Sequence, residues 1–401
     1  MATRPRREGR GPARPRRRSR TVRAVGLGRH RRHPHLRSGH RQPAPGGRAD
    51  PPRGALQRSS RRKRVSDVVK VGLIGGGGIT RAHVKGYRAH AGKIVVTAVA
   101  DVVEEAANTR AAELSAQPFT DYREMLRRAD VDAVDICLPH HLHADAIIAA
   151  AEAGKHVLCE KPLCLTADEA RRVSEAVRTN GITLMCAHNQ LFFPSVAKAT
   201  EILGSGLLGT VYEVRTTDSF HNDFDPSNMG WRASAKTSGG GELIDTGYHP
   251  TYLLLHLASA QAPAQPVEAT AFLSTHRLKF MEGEDSAQVL VRFDNGVVGQ
   301  MVTSWAYDPA PGTEKFSVVG ELGSLTGTEH SVTYRLRSGE EETFEFPETD
   351  AFVDEIGDFA DCLREGRRPI HTEVEGIAVL GVLLAAYEGA RAGTIAKVMT
   401  I

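Results

Sequence analysis

The chain lacks what several function classes require. Its five cysteines, Cys137, Cys159, Cys164, Cys186 and Cys362, are odd in number and form no Cys-x-x-Cys pair. Neither a disulfide framework nor a thiolate zinc site is therefore expected; reduced core thiols of a cytoplasmic protein are. No apolar run approaches the ~20 residues needed to cross a bilayer, so no membrane partner is expected. No internal repeat is visible, and the grouping of His140, His141 and His143 with Asp145 fits no standard zinc spacing, so no metal is expected there. Residues 1–64 have almost no aliphatic clusters and are crowded with Arg, Pro, Gly and His. Such a segment cannot offset its ordering entropy by burial and is expected to be a disordered tail. An export signal needs an apolar stretch behind the arginines, and the best one, residues 22–27, is interrupted by Arg23, Ala24 and Gly26. The tail is too poor in serine and too broken by Pro and Gly for an amphipathic transit peptide. A nucleic-acid arm is physically open to it, but composition favours a translated leader of an over-extended reading frame, with the natural start near Val65.

What is present is a chain of 401 residues, 41% hydrophobic, long enough for two domains with cores of their own. The net charge of +3 conceals an asymmetry: residues 1–64 hold 22 Lys and Arg against Glu8 and Asp50, while the remainder holds 29 basic against 46 acidic residues. The folded part is thus an acidic globule, and no nucleic-acid partner is expected for it. From residue 68 short β-branched runs alternate with Ala- and Glu-rich helical stretches, which argues for a parallel, doubly wound α/β sheet over residues 65–188. Residues 189–401 change rhythm. Helices are expected at 196–203 and 240–257, then six strand-like runs between 267 and 346 separated by turns such as Asp294-Asn295-Gly296, then helices at 351–365 and 373–392. That is an α+β domain with a large, mainly antiparallel open sheet.

The segment Gly75-x-Gly77-x-x-Thr80 follows the first strand and opens the first helix. Positions without side chains let a backbone turn sharply against a pyrophosphate at a helix N-terminus. Thr80 stands where Gly or Ala is usual, a departure that Gly78 partly compensates. Gly75, Gly77, Gly78 and Ile79 are the expected cofactor contacts. Asp101, 26 residues after Gly75, ends the second strand where a carboxylate would accept the adenosine ribose hydroxyls, and it could also cap the following helix. The next residue is Val102, so no basic group adjoins it to receive a 2′-phosphate, and NAD is expected rather than NADP.

Pro139 and Glu160-Lys161-Pro162 both fall at strand C-termini, the edge where doubly wound sheets place their ligands. A Glu-Lys pair ending a buried strand is costly unless something uses it, the plainer alternative being a surface-loop cap. Asp245 and His249, four apart on the expected 240–257 helix, would share a face. A carboxylate there could set the imidazole tautomer or bind a substrate hydroxyl, and histidine is suited to take an alcohol proton.

Together the glycine loop, Asp101, the run ending at Pro139, the stretch from Gly154 through Glu160-Lys161-Pro162, and Gly239-Gly240-Gly241-Glu242 through Asp245 to His249 resemble the Gfo/Idh/MocA oxidoreductase family, over roughly residues 68–400. The resemblance implies a Rossmann domain followed by an open-sheet domain, a nicotinamide cofactor, and hydride transfer at a hydroxyl or carbonyl carbon of a sugar, inositol or related polyol. It implies Lys161, Asp245 and His249 as catalytic residues, and Pro139, His143, Glu160 and Lys161 beside the cofactor. Asn189, Trp231 and Arg232 join Asp245 and His249 as expected substrate contacts. Tyr252 stands where many relatives carry an aspartate, which leaves the polyol contacts open. A homo-oligomer, dimer or tetramer, is implied through the open sheet. Two other classes compete: an NAD-using glycosidase of the same fold, and a non-catalytic ligand-sensing regulator.

Overall fold

The computed structural model describes residues 67–308, 312 and 314–401; the expectations for residues 1–64 lie outside them. The first unit alternates strand and helix, as its sequence rhythm implies. Its strands are β1 (Val69–Ile74), β2 (Ile94–Ala100), β3 (Gln117–Phe119), β4 (Ala133–Ile136), β5 (His156–Cys159) and β6 (Leu184–Cys186). Its helices are α1 (Thr80–Ala89), α2 (Glu104–Leu114), α3 (Tyr122–Arg128), α4 (His143–Glu152) and α5 (Ala167–Asn180). The strands form one sheet in the order β3-β2-β1-β4-β5-β6, parallel throughout. Strands covered by helices on both faces read as continuous apolar runs, and β4, Ala-Val-Asp-Ile, is buried at every position. The order reverses between β1 and β4, which opens a crevice at their C-terminal ends.

The second unit holds α6 (Pro194–Gly204), β7 (Val211–Ser219), α7 (Ala235–Ser238), α8 (Glu242–Asp245) and α9 (Tyr248–Ala258). Next come β8 (Pro266–Ser274), β9 (Ser286–Phe293), β10 (Val298–Ser304), β11 (Phe316–Gly320), β12 (Gly323–Gly327), β13 (Ser331–Leu336) and β14 (Glu341–Glu345). The chain closes with α10 (Ala351–Glu365), α11 (Glu373–Ala392) and β15 (Ala396–Lys397). Nine strands form the sheet β14-β13-β12-β11-β7-β10-β9-β8-β15, antiparallel except where β7 and β10 run parallel. α9 and α11 cover one face of it. The other face carries Phe272, Leu290, Val298 and Val319 exposed.

Three features depart from the sequence reading. β3, α3, β7, α7, β12 and β15 were not expected. β7 sits in the middle of the second sheet, yet its inward positions beyond Val214 are Thr216 and Asp218, so its apolar alternation stops halfway. The helix expected over 240–257 is two. The Gly247 N–H bonds Glu242 O, five residues back, which widens the turn between α8 and α9. Pro250 requires the restart, because its ring could not follow an uninterrupted helical turn but is tolerated in the first turn of α9. Finally, α10 returns to the first unit: Ile356, Phe359, Ala360 and Leu363 pack in one core with Val69, Val71 and Leu73. The boundary drawn at 188 therefore separates the sheets but not the cores.

Candidate functional site

The glycine loop is built around a backbone crossing. Gly75 has φ +100°, and a Cβ there would stand 2.3 Å from Cys137 O, so the turn at the end of β1 admits only glycine. Gly77 and Gly78 differ: a Cβ at either would meet nothing within 4 Å, because both border open space. Thr80 is buried and its Oγ1 donates to Gly77 O at 2.5 Å. Asp101 ties the glycine loop to the next helix: Oδ2 accepts Gly76 N–H at 2.7 Å and Oδ1 accepts Val103 N–H at 2.8 Å at the start of α2. Its carboxylate is thereby fixed on the wall of a cleft of about 920 Å³.

Gly75, Gly77, Gly78, Ile79, Asp101, Pro139, Glu160, Lys161, Trp231 and Arg232 all line this cleft, with Tyr122 and Arg123 at the Asp101 end. His143 does not. It is fully buried behind the wall, its ring nitrogens 2.7 Å from Pro162 O and 2.8 Å from Leu138 O, where it ties the ends of β4 and β5 together. His140, three residues earlier, is the histidine on the wall. The open glycines, the amide-rich loop and the fixed carboxylate fit a dinucleotide, held by residues 75–79 and Asp101.

Where the cleft meets the second unit, three sequence-distant groups converge. Lys161 Nζ donates to Asp245 Oδ1 at 2.7 Å and to Asp245 O at 2.9 Å. Arg232 Nε donates to Asp245 Oδ2 at 2.6 Å, and its guanidinium lies 4.3 Å from the Trp231 ring centroid. Burial alone would raise the Asp245 carboxyl, but the Lys161 and Arg232 charges override that and hold it well below the usual carboxylate range. Burial pushes His140 down to about 3, so this ring is neutral.

His249 is not partnered by Asp245, whose oxygens are taken by Lys161 and Arg232 after the widened turn. Its Nδ1 lies 2.8 Å from the Tyr252 hydroxyl. That hydroxyl accepts Gln190 N–H at 3.1 Å and donates to Asn189 Oδ1 at 3.4 Å. In the tautomer that carries its proton on Nδ1, the ring donates to Tyr252 and keeps an Nε2 lone pair. Burial, then the Lys161 charge, lowers the His249 pKa to about 4, so the ring is a neutral acceptor at neutral pH. Asn189, expected to meet substrate, instead spends its carbonyl oxygen on Tyr252. Sequence reasoning noted Tyr252 only as a departure; its place three residues after His249, one helical turn on, is the signal for the contact.

A Rossmann sheet with a dinucleotide crevice, walled at one end by a lysine and an arginine that grip a buried carboxylate, defines a nicotinamide-dependent oxidoreductase, although Asp245, His249 and Asn189 do not themselves line the crevice. Comparison with known proteins agrees. A model described as an oxidoreductase family with an NAD-binding Rossmann fold matches residues 69–188, and one for the GFO/IDH/MocA C-terminal domain matches residues 196–326. A levoglucosan dehydrogenase of Pseudarthrobacter phenanthrenivorans is 30% identical over 286 residues, 64% of this chain and 73% of its own. A scyllo-inositol 2-dehydrogenase (NAD(+)) of Bacillus subtilis is 27% identical over 339 residues, 81% of this chain and 95% of its own. The solved structure of a levoglucosan dehydrogenase with NADH and levoglucosan matches at a TM-score of 0.76 and 25% identity, over 83% of this chain and all of that one. The chain belongs to the Gfo/Idh/MocA family and is an NAD-dependent oxidoreductase.

Proposed function

We propose that the protein interconverts a hydroxyl and a carbonyl on a sugar, anhydrosugar or inositol, with Lys161, Asp245 and His249 as its working groups. The observation that carries this is the convergence of Lys161 from the end of β5 with Asp245 and Arg232 at the cofactor crevice. Bound NAD supplies the hydride acceptor. His249 Nε2 takes the hydroxyl proton in the oxidising direction. Lys161 has two of its three N–H donors on Asp245 and gives the third to the same substrate oxygen. Asp245, held by Lys161 and Arg232, keeps that ammonium aimed. Trp231 offers a flat wall for a sugar ring, and Arg232, pinned to it, offers a hydroxyl contact. The test is NAD reduction by the purified protein across inositols, aldoses and anhydrosugars. Turnover with at least one polyol is expected, and none with any of them would overturn the reading.

Two further properties belong to the same proposal. The uncovered face of the second sheet, with Phe272 81% exposed, supports a homo-oligomer through that face, checked by light scattering on the wild type and Phe272→Glu. Five buried free cysteines support a reducing, cytoplasmic setting. Among the described residues no helix is long and apolar enough to cross a membrane.

A further inference from the structure

Beneath Lys161 runs a buried chain of polar groups that none of the roles above uses. His83, on α1, is fully buried and both its ring nitrogens are engaged: Nδ1 lies 2.8 Å from Asp135 Oδ2 and Nε2 lies 3.0 Å from Glu160 Oε1. The other Glu160 oxygen accepts the Lys161 backbone N–H at 3.0 Å. Asp135, inside β4, also accepts the Tyr87 hydroxyl at 2.8 Å, and Cys137 Sγ lies 3.5 Å from its Oδ1. An imidazole with a carboxylate on each side satisfies both only by carrying both protons. Burial opposes that charge, but Asp135 overrides it and holds His83 well above the ordinary histidine range. Glu355 of α10 is buried nearby with both oxygens unpartnered; burial pushes it far up, so it is neutral and adds no charge. A cation shared by His83, Asp135 and Cys137 is the competing account, since their ligand atoms lie within 4.8 Å of one another. Against it, His83 Nδ1 already bonds Asp135, and burial pushes the Cys137 thiol up, away from the thiolate a metal would need.

We propose that His83 is a positioning residue: doubly protonated, it clamps Glu160 from α1 and so fixes the Lys161 backbone from which the ammonium reaches Asp245. The inference rests on the reading of Lys161 as the group that holds the reacting oxygen. Because α1 begins at Thr80, which bonds Gly77 O, the clamp also ties the dinucleotide loop to the strand end that carries the lysine. A buried charged network of this kind is costly to leave half-made.

Two near-isosteric variants separate the halves of the clamp. Asparagine at 83 places its amide where Nδ1 stands and keeps the Asp135 bond; glutamine reaches the Nε2 position and keeps the Glu160 bond. Steady-state kinetics with the substrate found in the polyol screen, NAD affinity by fluorescence titration and metal content are measured for His83→Asn, His83→Gln, Tyr87→Phe and Lys161→Ala. We expect kcat to fall ~100-fold in His83→Asn and ~5-fold in His83→Gln, with NAD Kd within ~2-fold of wild type. Tyr87→Phe, which keeps the core ring but frees one Asp135 bond, should lose ~3-fold in kcat. Equal losses in the two His83 variants, a loss seen only in NAD Kd, or a stoichiometric divalent metal in wild type would overturn the clamp. If neither His83 variant folds, an unchanged kcat in Tyr87→Phe overturns it. Turnover that survives Lys161→Ala breaks the underlying reading, whereas an inactive Lys161→Ala beside a fully active His83→Asn breaks only the clamp.

Discussion

In the run Gly75–Gly78 the first glycine packs against Cys137 O, but at Gly77 and Gly78 the missing side chains leave room that is open to the cleft. In the run Gly239–Gly241 the room is already filled. A Cβ on Gly240 would stand 2.3 Å from the Tyr387 hydroxyl, and one on Gly241 would stand 2.0 Å from Glu284 O, where the chain crosses Gly283. Tyr387 also donates to Glu284 Oε1 at 2.8 Å, and Leu243 N–H reaches the same oxygen at 2.9 Å, so the second run is locked into its own domain. The end of the first run borders an open cleft; the second run lets two backbones touch so that α8 can present Asp245. Similar glycine patterns thus have opposite uses, and only their surroundings tell them apart.

The largest expected effects come from the side chains proposed to do the chemistry. Lys161→Ala and His249→Ala should each lower kcat ~10²–10⁴-fold while NAD binding and Tm hold, measured by kinetics, cofactor titration and calorimetry. Near-normal rates in either variant would defeat the assignment. Gly241→Ala should act on folding instead, at a cost of ~3 kcal/mol or more because a backbone, not a side chain, must move; a Tm unchanged to within a degree would break the comparison. Gly77→Ala sharpens it from the other side, with stability within ~0.5 kcal/mol of wild type and NAD affinity reduced ~10-fold. A stability loss there larger than the affinity loss would mean that the loop is framed by protein after all.

The last contrast is in buried histidine, which carboxylate partners drive up at His83 and burial drives down elsewhere. His83 is held charged, so its contribution is complete below about pH 6.5 and is lost only as pH rises through its raised folded value. Around α9 burial drives the other way: His249 and His256 fall to about 4, His371 to about 3, and His188, 2.7 Å from His371, well below its ordinary range. Protonation of these four favours the unfolded chain. Their contribution is therefore complete above about pH 6.5 and shrinks as pH falls toward 4, by up to ~1.4 kcal/mol per pH unit for each ring. Thermal melts between pH 7 and 4.5 should show a steep fall with uptake of more than one proton, and a flat profile would contradict the burial.

Much of the fold was legible. The parallel sheet showed in its apolar runs, and α10 and α11 were read at their observed bounds because Asp350 and Thr372 cap their starts and Gly366 and Gly393 end them. β7 was not legible, because its inward Thr216 and Asp218 are satisfied by distant partners: Thr216 bonds Pro250 O, and Asp218 bonds Gln190 and Lys315. Pro250 did mark the break between α8 and α9, and an unbroken helix should not have been drawn through it.

For the site, local sequence pointed to Gly75 and Asp101 at strand ends, whereas Lys161, Asp245 and His249 were singled out with the help of the family resemblance. Partnership was a tertiary matter. Lys161 meets Asp245 across 84 residues, and His83 meets Glu160 across 77. The same holds for the Tyr252 hydroxyl and Asn189, 63 residues apart. Chemistry-bearing residue types follow from short-range pattern, because strand ends and turns are short-range objects. Which carboxylate holds the lysine, and which hydroxyl meets the histidine, depends on packing between two sheets and on one widened helical turn, and these exist only once the chain has folded.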